Sequence, residues 1–212
     1  MDDEGELRPP YTLMTGFIGT AWISTALSES GWDEAAYRLL QQTEYPSWLY
    51  PVIHGATTIW ERLDGFTEEK GFAGHNWMNS FNHYSFGAVG QWLMSHSLGI
   101  QRDPDNPGFK HFILQPTPDP DRRMTFAEGS YDSVYGRIES AWKYENDSLI
   151  LEVEVPANTT ATIYIPAADP NSIREQDQAA ALSAGVEFIE YKNKKAVYRL
   201  QAGSYRFTAP LS

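Results

Sequence analysis

Two short stretches gather side chains suited to moving protons and gripping neutral hydroxyls. The first runs from Pro46 to Arg62 and ends in Trp60-Glu61-Arg62, an aromatic plate, a carboxylate and a cation in succession. Aromatic faces stack on the C–H face of a sugar, and burial tunes a neighbouring carboxylate for acid–base work. The plainer alternative is a Glu61–Arg62 surface pair with Trp60 in the core, since charged side chains mostly stay solvated. The second stretch runs from Gly74 to Gly87 and carries His75, Asn76, Trp77, Asn79, Asn82 and His83. Asn and His both donate and accept hydrogen bonds, which suits sugar hydroxyls. Here the plainer reading makes Asn79 or Ser80 a helix cap and His83 a satisfied core histidine. A Gly-rich loop joins the two stretches, with Gly65, Gly71 and Gly74 between Asp64 and Asn79, and together they point to one site.

Other chemistries are excluded. There is no phosphate-binding Gly-rich loop with Lys, and no Gly-x-Ser-x-Gly elbow. His75 and His83 are eight residues apart and no His-Glu-x-x-His sequence exists, so no catalytic metal and no other cofactor is expected. The absence of cysteine removes disulfides, thiolate metal sites and a Cys nucleophile. A formal net charge of -12 opposes nucleic acid, whose phosphates need Lys and Arg, and is compatible with a neutral sugar. No apolar run approaches the ~20 residues of a membrane span, so no membrane partner is expected. Residues Met1 to Pro10 are acidic and polar and do not resemble a signal peptide. The compartment stays open, with a periplasmic or extracellular setting favoured over the cytoplasm.

These stretches need elements to hold them. Gly16 to Glu29 reads as a helix with Phe17, Ala21 and Trp22 on one face, and Gly31 as its C′ residue. Asp33 reads as the N-cap of a helix from Glu34 to Thr43, with Trp32 and Tyr37 placed for a hydrophobic staple. Further helices are predicted over Thr57 to Leu63 and from Ser80 to His96 or Ser97, the last with a stripe of Phe81, Tyr84, Ala88 and Trp92, closed by Gly99. After Ile100 the texture changes. Five prolines from Pro104 to Pro120 lead into short alternating runs: Gly136–Tyr144, Ser148–Val155, Thr160–Ile165, Val186–Tyr191, Lys195–Leu200 and Gly203–Thr208. Asn146-Asp147 and Lys192-Asn193 sit where hairpin turns belong, and the stretch from Asp169 to Ala184 reads as a loop insertion with a helical turn. The expected organisation is multidomain α and β, with helices over residues 1–102 and an antiparallel β-sandwich over 103–212. Six of the seven Trp precede residue 100, too many aromatic faces for four helices to cover alone. Self-association through Trp22, Trp48 and Trp92 is one way to cover them.

Three segments carry a resemblance: Thr15-Gly-Phe-Ile-Gly-Thr20, Gly55-Ala-Thr-Thr-Ile-Trp-Glu-Arg62, and the run from Ser80 to Gly90. In order and spacing they resemble the bacterial α-L-rhamnosidases of glycoside hydrolase family 78, as does Tyr135-Gly-Arg-Ile-Glu-Ser-Ala-Trp142 in the tail. The resemblance covers nearly the whole chain from Thr12. It implies the last helices of an (α/α)6 barrel followed by a C-terminal β-sandwich, and hydrolysis of terminal α-L-rhamnosides with inversion. It also implies that Glu61 is the general base and that His83 contacts the sugar, with Trp77 and Trp60 as looser, ring-facing assignments. The expected partner is a rhamnose-containing oligosaccharide or glycoside. The family's general acid lies upstream of these motifs and has no counterpart here, so the chain alone is expected to be nearly inactive. Two alternatives stand beside this reading: another (α/α)6-barrel glycosidase, or a non-catalytic carbohydrate-binding or accessory protein.

Overall fold

The computed structural model describes residues 7–72 and 78–211. They form two compact units that divide at Trp92/Leu93, ten residues ahead of the boundary expected from the sequence.

The helical unit opens with α1 (Gly16–Glu29), the span the apolar pattern predicts. Gly16 and Gly31 bracket it at φ +58° and +82°, the left-handed region that glycine enters without cost. Helix α2 (Asp33–Gln41) starts one residue earlier than expected, so Asp33 is its first residue and not its cap. The expected staple is absent. Trp32 stays largely in solvent, and Tyr37 packs edge-on against Trp92 with ring centroids 5.0 Å apart. Short α3 (Leu49–Ile53) follows Pro46 and carries Pro51 within it. Leu13, Leu39, Trp48, Leu63 and Phe86 make the core, with Ile23, Leu27 and Val89 against it. Two buried indoles satisfy their N–H groups inside this unit. Trp48 donates to the Phe86 carbonyl at 2.7 Å and Trp92 to the Ser28 hydroxyl at 2.9 Å.

Two expected helices are corrected. Thr57 to Leu63 forms no helix, and the long helix does not begin at Ser80. Instead a 3₁₀ turn at Ser85–Ala88 leads into a single α-turn, α4 (Val89–Trp92), and then a π-helical turn at Leu93–Ser97. The cause is competition for backbone groups. The main chain around residues 59–61 and 80–83 bonds across to its partner segment, so it cannot also close helical turns.

The second unit is a β-sandwich of a five-stranded and a six-stranded sheet. The five-stranded sheet contains β1 (Ile100–Arg102), β2 (His111–Leu114), β6 (Thr160–Pro166), β9 (Val186–Lys192) and β10 (Lys195–Leu200), in the order β1-β2-β6-β10-β9. The six-stranded sheet contains β3 (Phe126–Ser133), β4 (Gly136–Glu145), β5 (Ser148–Val155), β7 (Arg174–Glu175), β8 (Gln178–Ala179) and β11 (Gly203–Pro210), in the order β3-β4-β5-β11-β7-β8. Every pairing is antiparallel except β2 with β6. The stretch after Asp169 therefore extends the sheet through β7 and β8, besides its two 3₁₀ turns.

Alternation explains the burial. Ile138, Ser140 and Trp142 of β4, with Leu149, Leu151, Val153 and Val155 of β5, turn inward. Each large apolar side chain so buried contributes about 1.5–3 kcal/mol. Tyr198 of β10 and Phe207 of β11 bring the two sheets together with rings 6.2 Å apart. Asn146 and Asp147 sit at φ +46° and +58°, a two-residue turn whose twist matches the flanking strands. The β9–β10 turn is centred on Asn193 and Lys194, one residue beyond the expected pair. Gly99 is held at φ +75° against strand β2's exit, where an added Cβ would lie 2.1 Å from the Gln115 carbonyl carbon.

Candidate active site

Within the helical unit, the chain after α3 runs beside residues 79–83, and a set of bonds ties the two together. The His83 N–H donates to the Ile59 carbonyl and the Glu61 N–H to the Ser80 carbonyl, each at 2.8 Å. The Arg62 N–H reaches Asn79 Oδ1 at 3.2 Å, and the Thr58 hydroxyl donates to the Phe81 carbonyl. The Ser80 N–H returns the contact by donating to Glu61 Oε2 at 2.8 Å. Both backbone groups of Ser80 are thus spent on Glu61. The carboxylate is fixed by one oxygen, and its other oxygen is left to act as an acceptor. Asn79 and Ser80 do not cap a helix; the Ser80 hydroxyl accepts from the Asn82 N–H in a local turn.

Glu61 lines an open cleft of about 530 Å³ with Met14, Phe17, Tyr45, Arg62 and Asp64. The plain Glu61–Arg62 pairing is not what forms. Arg62 gives two hydrogen bonds to Asp64, at 3.2 and 3.1 Å, and these hold its guanidinium charged. The Asp64 carboxylate is therefore occupied as an acceptor. Burial raises the pKa of the Tyr45 hydroxyl, and the nearby Asp64 charge pushes it the same way, so Tyr45 remains a donor at neutral pH. Among the described residues no group of three or more His, Asp or Glu side chains is arranged to hold a metal ion.

The imidazole of His83 is oriented twice. Its ring stacks on Phe17 at 4.9 Å and 19°, and lies parallel to Tyr84 at 5.6 Å and 2°. The Ser85 N–H donates to its Nδ1 at 3.3 Å, which assigns the proton of the neutral ring to Nε2. Trp60 is 4% exposed and meets Phe81 edge-on at 5.2 Å, so it backs the Glu61 segment from the core. Trp77 lies outside the described residues.

A larger concavity, about 660 Å³, lies on the six-stranded sheet. Two of its four carboxylates are paired, Glu139 with Arg137 and Glu152 with Arg206, both at 2.9 Å. None of its four carboxylates is shown accepting from a backbone N–H as Glu61 does from Ser80.

Residues 8–96 match the family model described as the bacterial alpha-L-rhamnosidase 6 hairpin glycosidase domain, and residues 99–180 match the bacterial alpha-L-rhamnosidase C-terminal domain. The chain belongs to the bacterial alpha-L-rhamnosidases. An alpha-L-rhamnosidase of Formosa agariphila is 38% identical over 200 residues, which is 94% of this chain and 21% of that protein. The alpha-L-rhamnosidase of Streptomyces avermitilis is 35% identical over 198 residues, 93% of this chain and 18% of its own length. Its crystal structure, a complex with L-rhamnose, superposes with a TM-score of 0.81 over 94% of this chain and 18% of that one. The alpha-L-rhamnosidase of Dictyoglumus thermophilum gives a TM-score of 0.77 at 30% identity, covering 96% and 22%. The chain thus spans about a fifth of the length of the relatives it matches. The helical unit corresponds to part of a six-hairpin rhamnosidase domain, and the sandwich to the rhamnosidase C-terminal domain.

In this rhamnosidase segment the residues predicted from sequence do not all meet in one place. Glu61 reaches the cleft. His83 is not one of the cleft-lining residues, but it is bonded to the Glu61 segment through Ile59 and touches the cleft through Phe17. Sequence reasoning missed Phe17, Tyr45 and Asp64 as cleft residues. Phe17 was signalled by its place in the Thr15–Thr20 motif, and Asp64 by its spacing of two from Arg62. Nothing local marks Tyr45.

Proposed function

We propose that this chain supplies the general base and part of the sugar site of an inverting α-L-rhamnosidase. The observation that carries the reading is the Glu61 carboxylate, open to the cleft and clasped by the Ser80 amide. Glu61 takes a proton from a water molecule, which attacks the anomeric carbon from the face opposite the departing group. Protonation of the leaving oxygen comes from a carboxylic acid on another part of the six-hairpin domain, at the roughly 6.5–9.5 Å spacing inversion needs. Asp64 does not fit that role, because its two oxygens already accept from Arg62. His83 donates through Nε2–H to a sugar hydroxyl, and Trp77 stacks on the ring. The substrate is a neutral rhamnose-containing glycoside, in keeping with the acidic chain and with a relative crystallised with L-rhamnose. The exposed apolar face of α1, with Ile18 and Trp22, is covered by other hairpins of the same domain.

The test is rhamnose release from an aryl α-L-rhamnoside by the full-length enzyme and its Glu61→Gln variant. Loss of a general base lowers kcat by about 10²- to 10⁴-fold with KM little changed. Unchanged turnover would move Glu61 to a structural role. Activity on other aryl glycosides but not on the rhamnoside would keep the base and replace the sugar.

A further inference from the structure

We propose that Phe17 is a positioning residue for His83, and that the Thr15–Thr20 motif exists to place it. The inference rests on the reading of His83 as a sugar-contacting group.

Phe17 is not explained as core. It stands outside the buried cluster of the helical unit, 40% exposed where it lines the cleft beside Glu61. Its ring contacts are with His83 at 4.9 Å, nearly parallel, and Phe86 at 5.1 Å, edge-on. Phe86 is buried and its carbonyl accepts from the Trp48 indole, so Phe17 leans on a fixed base. The start of α1 is stiffened as well. The Thr15 and Thr20 hydroxyls bond at 2.8 Å, Thr20 also donates to the Gly16 carbonyl at 2.6 Å, and Gly16 takes the positive φ that turns the chain into the helix. The motif therefore fixes the height and direction at which Phe17 leaves α1.

An imidazole has two orientations to specify: the plane of the ring, and the direction of its nitrogens within that plane. Stacking on Phe17, the closer of the two parallel neighbours, sets the plane together with Tyr84. The Ser85 N–H on Nδ1 sets the rotation, which leaves Nε2–H aimed in one direction. A hydrogen bond to a sugar hydroxyl weakens steeply when its angle is lost, so removing either constraint costs transition-state binding without removing a contact to the sugar.

The test uses Phe17→Leu, which keeps apolar bulk without a flat face, and Phe17→Tyr, which keeps the face. In the full-length enzyme Phe17→Leu is expected to lower kcat/KM roughly 10- to 100-fold, and Phe17→Tyr to restore most of it. In a His83→Ala background, Phe17→Leu should cost nothing further, because residues acting as one unit are not additive. A loss that adds in full to that of His83→Ala would overturn the proposal. A second readout needs no turnover. The 3.3 Å bond from the Ser85 N–H holds only while the ring keeps its plane, so ring ¹⁵N signals of His83 should show bare Nδ1 and protonated Nε2 in the wild type and in Phe17→Tyr, and averaging tautomers in Phe17→Leu. Wild-type signals in Phe17→Leu would also overturn it. Phe17-dependent His83 signals in an enzyme that releases no rhamnose would leave the positioning role standing and overturn the function instead.

Discussion

The two units spend their hydrophobic residues differently. The helical unit holds six of the seven Trp, yet ten of the twelve largest fully buried side chains belong to the sandwich. The sandwich closes two sheets on each other and uses up its inward faces. The helical unit leaves Trp22 at 64% exposure with Met14, Ile18 and Trp32 also open, and puts other aromatics around a cleft. Of the three Trp expected to drive self-association only Trp22 is exposed, since Trp48 and Trp92 are buried within the unit. Aromatic richness is therefore no guide to where a stable core lies. The sandwich is a finished domain, and the helices are one share of a larger one.

The largest effect expected from that contrast is at Glu61. Glu61→Gln should abolish most rhamnose release while leaving the urea midpoint of the sandwich unchanged, and a joint loss would break the separation. Next come two Trp replacements that differ only in their unit. Trp142→Ala should cost about 3–5 kcal/mol by urea unfolding, since it empties a site that is 1% exposed and loses the bond from its indole to the Ser97 carbonyl. Trp22→Ala should change the same measurement by less than ~0.5 kcal/mol in this chain. Equal effects would end the distinction between finished and unfinished cores. Gly99→Ala should cost about 1–3 kcal/mol from backbone strain alone, with the Gln115 contact adding to it.

The smallest effect is at His111. Burial lowers its pKa, and its two nitrogens lie 2.7 and 2.9 Å from the hydroxyls of Thr160 and Thr162. The folded state therefore binds a proton less readily than the unfolded one. The stabilisation is fully present above the unfolded value of about 6.5 and is lost as pH falls through the lower folded value. A His111→Asn chain should show a flatter fall in melting temperature below pH 6.5, and an unaltered slope would sink this.

Legibility followed locality. Strands β5 and β10 and helix α1 were readable to the residue, because alternation, turn residues and flanking glycines sit within each segment. Strands β1, β2 and β3 were not. The first two are three and four residues long, β2 finds its parallel partner forty-nine residues onward, and β3 buries one of its eight residues. The helices read over Thr57–Leu63 and from Ser80 failed for one shared reason, that each segment's backbone is pledged to the other. The same long-range tie is what clasps Glu61. Its residue type was visible in the sequence, but its holder, a serine amide nineteen residues away, was not.

The stretch just ahead of the first sandwich strand bears on how such enzymes can be dissected. The carbonyls of Ser97 and Leu98 accept from the Trp142 indole and the Ser140 hydroxyl, both buried, and β1 pairs with β2 along its length. A sandwich severed at residue 103 would strand two polar groups in its interior and bare an edge of β2. A transplantable module has to start by Leu93. Anyone recombining rhamnosidase tails should carry the π-helical turn along as the module's plug rather than trim it as linker.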